Sequence, residues 1–331
     1  MKVRAEHWIG GAFLIFAAVS ITWSDGPYDG INEFAKLCFL AGIFLIGSQL
    51  ASLRQVYIGL AIGFSINSAI VIAQLFGWQG IHQINVPGGL FENKNILAEP
   101  AAMVLVALVA SRLWWLIPGV LPSVVMPYER GAFVGLAAAL IAWIWTKSKS
   151  VALVLAVGVI MMGSTVYYNA RLGSSVYERG IIYKSTISDM TWAGSGLGSW
   201  FVRFPSHAPE FSLLTSRPIH AHNDILELAY EIGPGTLFYL AFLALALSGP
   251  FGAEKLVLIA FLMEGCFAFP LHMPATAFMA ALVTGRLCRD RVSLRRLFVA
   301  RGARIRLSLA AYRATRRKPK PTEIGAIGLP I

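Results

Sequence analysis

The sequence predicts an all-α polytopic membrane protein of about ten transmembrane helices, with one large loop outside the membrane between the seventh and eighth. Three observations predict it. Of 331 residues, 56% are hydrophobic and only 14% charged, where an average soluble domain has about 25% charged. Apolar runs recur along the chain, cut by charges and by Gly and Pro, near the roughly 17–25 residues a span needs. The basic residues are also segregated in a pattern that follows those runs.

Read in order, the spans are Trp8–Trp23, Asn32–Leu50, Val56–Phe76, Ile96–Ala110, Leu113–Met126, Gly131–Trp145, Val151–Tyr168, Ile232–Ser248, Leu256–Phe269 and Pro274–Leu287. The first follows Lys2 and Arg4, and with so many spans behind it an uncleaved signal anchor is expected. Of 28 Lys and Arg, 20 fall on the side of the two termini and 7 on the other, with Lys36 inside a span. The richer side is expected to be cytoplasmic, which puts the 169–223 loop outside. The formal charge of +11 follows this topology, so no nucleic-acid partner is expected.

Residues 1–290 form the transmembrane domain, and 291–331 lie in a basic cytoplasmic tail. From Arg286 to Lys320 apolar and basic residues alternate, as in an amphipathic helix lying on anionic membrane lipids; disorder is expected beyond Pro319. Cys38, Cys266 and Cys288 have no metal-ligand spacing and read as packing residues. No internal repeat and no inverted pair of broken helices is visible.

The chemistry concentrates where the long loop meets the eighth span. In His220-Ala221-His222-Asn223-Asp224, Asn223 or Asp224 is placed to cap a helix. Asp224, Glu227 and Glu231 then share one face, opposite Leu226, Leu228 and Ile232. Three carboxylates facing lipid would be costly, so a short helix at the outer surface or in a wet cleft is expected, with the span proper starting near Ile232. His222 at this helix start suits general-base chemistry, and the helix dipole attracts anions; the bland alternative is an interfacial histidine bonded to its loop. A zinc site from His220, His222 and a carboxylate lacks a third ligand with diagnostic spacing, so no metal is expected.

Arg130, Arg179 and Arg217 lie on the same side, where a guanidinium forks onto phosphate oxygens. The plainer role of Arg130 is a snorkelling residue paired with Glu129, and that of Arg179 a loop salt bridge with Glu178. Gly194-Ser195-Gly196-Leu197-Gly198 lacks the Lys-Ser/Thr ending of a phosphate loop and reads as a flexible turn. Glu264, inside an apolar run, is a functional candidate because a carboxylate there needs a partner.

Five segments taken together resemble the O-antigen ligase and polymerase family of envelope glycan enzymes. They are Gly88 to Ala98, Glu129-Arg130-Gly131-Ala132, Gly194 to Gly198, His222-Asn223 followed after nine residues by Gly233 and then Thr236, and Phe269 to Thr276. The resemblance runs in register over most of the chain, and the His-Asn spacing is similar to the ligase signature in particular. It implies an oligosaccharide carried on undecaprenyl diphosphate and transferred to a glycan or lipid-linked acceptor hydroxyl, on the periplasmic face of the bacterial inner membrane, without metal, nucleotide or other cofactor. By the resemblance, His222 is the base and Arg130, Arg179 and Arg217 hold the diphosphate. Asn95, Asn223, Asp224, Glu227 and Glu264 are supporting residues in this reading. The chain departs from the family in being shorter and in carrying Ala268 where relatives often have an acidic residue, with Glu264 one helical turn earlier. An O-antigen or exopolysaccharide polymerase of the same family is the alternative, and a transporter or flippase for the lipid-linked glycan is the alternative of another class.

The topology has a direct check. Cysteines placed at Ser206 and Ser308 should differ in intact cells, with an impermeant thiol reagent labelling position 206 and not position 308. The reverse pattern would invert the orientation.

Overall fold

A computed structural model describes residues 5–169, 174–207, 214 and 217–289; the basic tail lies outside the described residues. Among them the chain is all-helical. Its helices are α1 (Ala5–Ser20), α2 (Pro27–Gln49), α3 (Arg54–Leu75), α4 (Lys94–Ala110), α5 (Ile117–Val125), α6 (Arg130–Trp145) and α7 (Lys149–Tyr168). There follow α8 (Ser175–Ser188), α9 (Trp200–His207), α10 (Asp224–Ile232), α11 (Thr236–Leu247), α12 (Ala253–Glu264) and α13 (274–289).

Five stretches are helical, long and apolar enough to cross a membrane: Ala5–Trp23, Pro27–Gln49, Arg54–Leu75, Lys149–Tyr168 and Asp224–Leu247. The other apolar runs form shorter helices. One expected boundary is corrected. Helix α12 ends at Glu264, so 265–273 is a turn rather than the end of a span. The short helix expected before the apolar run is present as α10. It stops at Gly233–Gly235, a 3₁₀ turn in which Gly233 has φ 50° and Pro234 removes a donor, before α11 continues from Thr236. Together they make the membrane-length stretch Asp224–Leu247.

The centre of the fold is α4. Leu97, Ala98, Ala101–Val104, Ala107 and Leu108 are inaccessible, a helix buried on nearly every side by α5, α6 and α12. At the opposite extreme α7 buries almost nothing, and Leu153, Val154, Ile160, Met161 and Met162 face outward. That much apolar exterior is compatible with a hydrocarbon solvent and unusual in water. Where α2 crosses α13 the backbones touch, since a Cβ on Gly47 would overlap Leu282 O and one on Gly285 would overlap Phe44 O. Small residues at such a crossing let helices approach without a hydrophobic driving force.

Connections gather at two ends. At one, Arg54 Nη1 donates to Ser111 O at 3.2 Å and Arg289 reaches Gln49 O. At the other, the α1–α2 turn meets the 194–198 loop, where Ser24 Oγ donates to Leu197 O at 2.8 Å and Leu197 N–H donates to Ser20 Oγ at 3.2 Å. That loop is not the flexible turn expected from its composition. All five residues are buried, and Ser195 and Gly196 donate to Tyr230 O and Glu231 O, closing the end of α10. Glycine is needed for space as much as for freedom: Gly198 has φ 76°, and a Cβ there would overlap the Gly30 nitrogen.

Gly198→Ala should therefore lower stability by about 2 kcal/mol or more. Gly158→Ala, on the open face of α7 with nothing within 4 Å, should raise it by about 0.5–1 kcal/mol. Thermal unfolding of the two variants in one detergent checks both signs.

Candidate functional site

The end that carries the 194–198 loop also carries the polar chemistry. Asn223 is the N-cap of α10, its Oδ1 accepting from Leu226 N–H at 2.9 Å, while Asp224 N–H donates to Gly265 O at 2.9 Å. The start of α10 is thus tied to the end of α12. Immediately before the cap, His222 adopts φ 53°, a left-handed backbone that costs a non-glycine residue energy. Tyr183 on α8 helps hold it: its hydroxyl lies 2.7 Å from His222 O and 3.1 Å from Cys266 O.

The three carboxylates of α10 face protein rather than a wet cleft. Asp224, Glu227 and Glu231 are 3%, 3% and 4% exposed. Leu228 and Ile232 on the other side are buried too, so the expected polar and apolar faces are both inside. The reason is the long segment, which packs over this helix: Glu231 Oε1 accepts from Trp200 N–H at 3.1 Å. Glu227 is the most engaged. Its Oε2 accepts Ala221 N–H at 2.7 Å, and its Oε1 lies 2.8 Å from His220 Nδ1 and 3.4 Å from His272 Nε2.

His272, in the α12–α13 turn, completes the cluster. Its Nδ1 is 3.4 Å from Glu33 Oε2 on α2, its Nε2 is 3.9 Å from Asp224 Oδ1, and its ring stacks on His220 with centroids 4.1 Å apart. Burial opposes a charge on this ring, but Glu227, Glu33 and Asp224 outweigh it and raise its pKa to about 10. His222 behaves oppositely. Burial lowers its pKa to about 4, Arg179 and His220 push the same way, and Glu227 and Glu178 only partly oppose them. At neutral pH its ring is uncharged, and its buried Nδ1 has no hydrogen-bond partner.

Of the three arginines, Arg179 is the one whose field reaches His222, and it reaches Glu99 and Tyr183 as well. Arg217 instead stacks over Phe201 at 4.1 Å and donates to Phe201 O at 3.1 Å. Arg130 stands exposed at the start of α6, and Glu129 caps that helix through Ala132 N–H at 2.8 Å. Asn95 opens α4, its N–H donating to Asn93 Oδ1 at 2.9 Å. Glu264 is wholly buried against Gly135, with both oxygens lacking a hydrogen-bond partner, in the field of Glu99 and Glu129.

Sequence reasoning did not find Glu33, Glu99, Tyr183 or His272. Glu33 and Glu99 carried the signal that singled out Glu264, a carboxylate in an apolar run, and the same rule applies to them. Tyr183 and His272 reach the site only through folding.

Neither the protein-family models nor the curated proteins contain a match to this chain. Fold and site by themselves define an all-helical protein with membrane-length apolar helices and, at one end, a buried histidine–carboxylate cluster next to a His222 that feels the field of Arg179. Tyr183→Phe should cost about 1 kcal/mol of stability by removing the hydroxyl shared by two carbonyls. Unfolding in detergent measures it, and an unchanged transition would mean that Tyr183 does not hold the His222 backbone.

Proposed function

We propose that this is a glycan transferase of the O-antigen ligase and polymerase class, working on the periplasmic face of a bacterial inner membrane. The ten apolar runs would be its spans, both termini would be cytoplasmic and 169–223 would be the periplasmic segment. The donor is an oligosaccharide on undecaprenyl diphosphate, and the acceptor is a hydroxyl of a glycan or lipid-linked glycan.

One observation carries this reading: a neutral histidine on a strained backbone, with an arginine in its field, at the polar end of an apolar bundle. A neutral imidazole accepts a proton without first losing one. In the proposed step His222 takes the proton of the acceptor hydroxyl as that oxygen attacks the anomeric carbon. The bond from that carbon to the diphosphate oxygen breaks, and its electron pair leaves with polyprenyl diphosphate. Arg179 neutralises the charge that grows on the leaving group. Arg130 and Arg217 would hold the donor's diphosphate before or after the reacting geometry forms. The reaction as written uses no metal and no other cofactor.

A second base is favoured by a specific contact. His220 has its Nδ1 on Glu227 at 2.8 Å, an arrangement that orients an imidazole and strengthens it as a base. His222 is preferred because it lies in the field of Arg179 and because it holds the histidine position of the His-Asn spacing. A transporter reading is less well supported, because the buried carboxylates and histidines cluster around the α10 start and the 265–273 turn instead of marking a path between the two ends.

The experiment is transfer from a synthetic polyprenyl-diphosphate oligosaccharide by purified variants. His222→Ala should lose about 10²–10⁴-fold in rate, and donor binding should survive. Arg179→Lys should lose activity although the charge remains, because the fork is gone. Near-normal transfer by His222→Ala together with loss in His220→Ala would move the base to His220. Normal transfer in both histidine variants and in Arg179→Lys would overturn the assignment of this site.

A further inference from the structure

The Glu227 cluster has a geometry that the transfer step does not use. His220 Nδ1, Glu227 Oε1 and His272 Nε2 lie within 4.8 Å of one another, each able to give one ligand atom to a metal. We infer that these three groups, with Asp224 Oδ1 as the fourth, form a binding site for a zinc-like divalent ion that ties the His220–Glu227 segment to the 270–273 turn.

The distances favour a shared ion. Zinc holds nitrogen and oxygen at about 2.0–2.2 Å, so neighbouring ligand atoms of a tetrahedron sit about 3.4 Å apart. The separation of His272 Nε2 from Glu227 Oε1 is 3.4 Å, too long for a good hydrogen bond. Asp224 Oδ1 follows at 3.9 Å from the same nitrogen, and His220 Nδ1 at 2.8 Å from Glu227 Oε1 needs to move outward by about 0.6 Å to reach that spacing. Asp224 Oδ1 and both ring nitrogens of His272 are buried and make no close hydrogen bond, only the longer ion-pair contacts to Glu33, Glu227 and each other.

The supporting shell is the kind that orients metal ligands. Each carboxylate has one oxygen pinned by a backbone N–H and the other turned to the cluster: Ala221 N–H holds Glu227 Oε2 at 2.7 Å, and Leu271 N–H holds Asp224 Oδ2 at 2.9 Å. Glu33 Oε2 stands 3.4 Å from His272 Nδ1, a carboxylate behind a histidine whose other nitrogen faces the site. Three buried carboxylates also need positive charge: without an ion a proton on His272 supplies one unit, and a divalent ion that displaces this proton supplies two. Two imidazoles with two carboxylates select zinc, cobalt or nickel over magnesium or calcium. His222 is not among the ligands, so the ion is structural: it fixes the segment whose backbone is strained at His222. This site differs from the His220/His222 pair considered in the sequence, since His272 and Glu227 supply what that pair lacked.

The site does not depend on the glycan reading, and its test has a separate readout. Full-length protein purified in detergent is stripped with a chelator, shown to remain folded by its thermal transition, and titrated with zinc sulfate in a calorimeter. Binding of one equivalent is expected, with a visible cobalt spectrum of tetrahedral type when cobalt chloride replaces zinc. His272→Ala and Glu227→Gln should each weaken zinc binding at least tenfold, whereas His222→Ala should bind as wild type. Absence of zinc binding by folded wild-type protein would overturn the site, as would wild-type affinity in His272→Ala. Should the two ligand variants fail to fold, a cobalt spectrum of wild-type protein that is octahedral rather than tetrahedral would also overturn it.

Discussion

The carboxylate of Glu227 is the contact on which the rest of this end of the molecule depends. It is 3% exposed, accepts Ala221 N–H and draws His220 and His272 to one oxygen. Through those partners it joins the extended segment before α10, helix α10 itself and the turn between α12 and α13. A buried anion is stable only with such partners, so loss of any one leaves an uncompensated charge. The strain at His222 persists because this network over-determines the backbone on both sides of it.

A second constraint acts from the scaffold. Helix α4 is surrounded by protein and α7 by almost none, so the bundle has a packed centre and an apolar rim. Polar groups are excluded from that rim and collect at a helical end, where 194–198, 220–224 and 265–273 converge. The glycines of 194–198 matter here as spacers, since they let that loop lie against both the α1–α2 turn and the last turn of α10. Site and scaffold are therefore one packing problem: Trp200, inaccessible itself, sends its N–H to Glu231 while its ring stacks on Phe204.

Much of this was legible in the sequence, because it depends on local pattern. The apolar runs marked the helices, Asn223 was one of two named caps, and the acidic residues of α10 were read on one face. What was not legible depended on contacts far apart in the chain. Nothing local distinguishes Gly194–Gly198 as a packed loop from a flexible one, since its partners are residues 20–30 and 230–231. Arg217, close to His222 in sequence, turns to Phe201, while Arg179, more than forty residues away, reaches the histidine's field. His272 and Glu33 belong to the site only because α2 and the α12–α13 turn fold against α10.

The central proposal is that His222 and Arg179, beside this cluster, act in breaking a sugar–diphosphate bond rather than in moving a lipid-linked glycan intact. The most direct measurement follows both products in sealed vesicles holding purified protein and a radiolabelled polyprenyl-diphosphate oligosaccharide with acceptor. The account predicts free polyprenyl diphosphate and glycosylated acceptor in equal amounts. Intact lipid-linked glycan crossing the bilayer with no diphosphate released would contradict it.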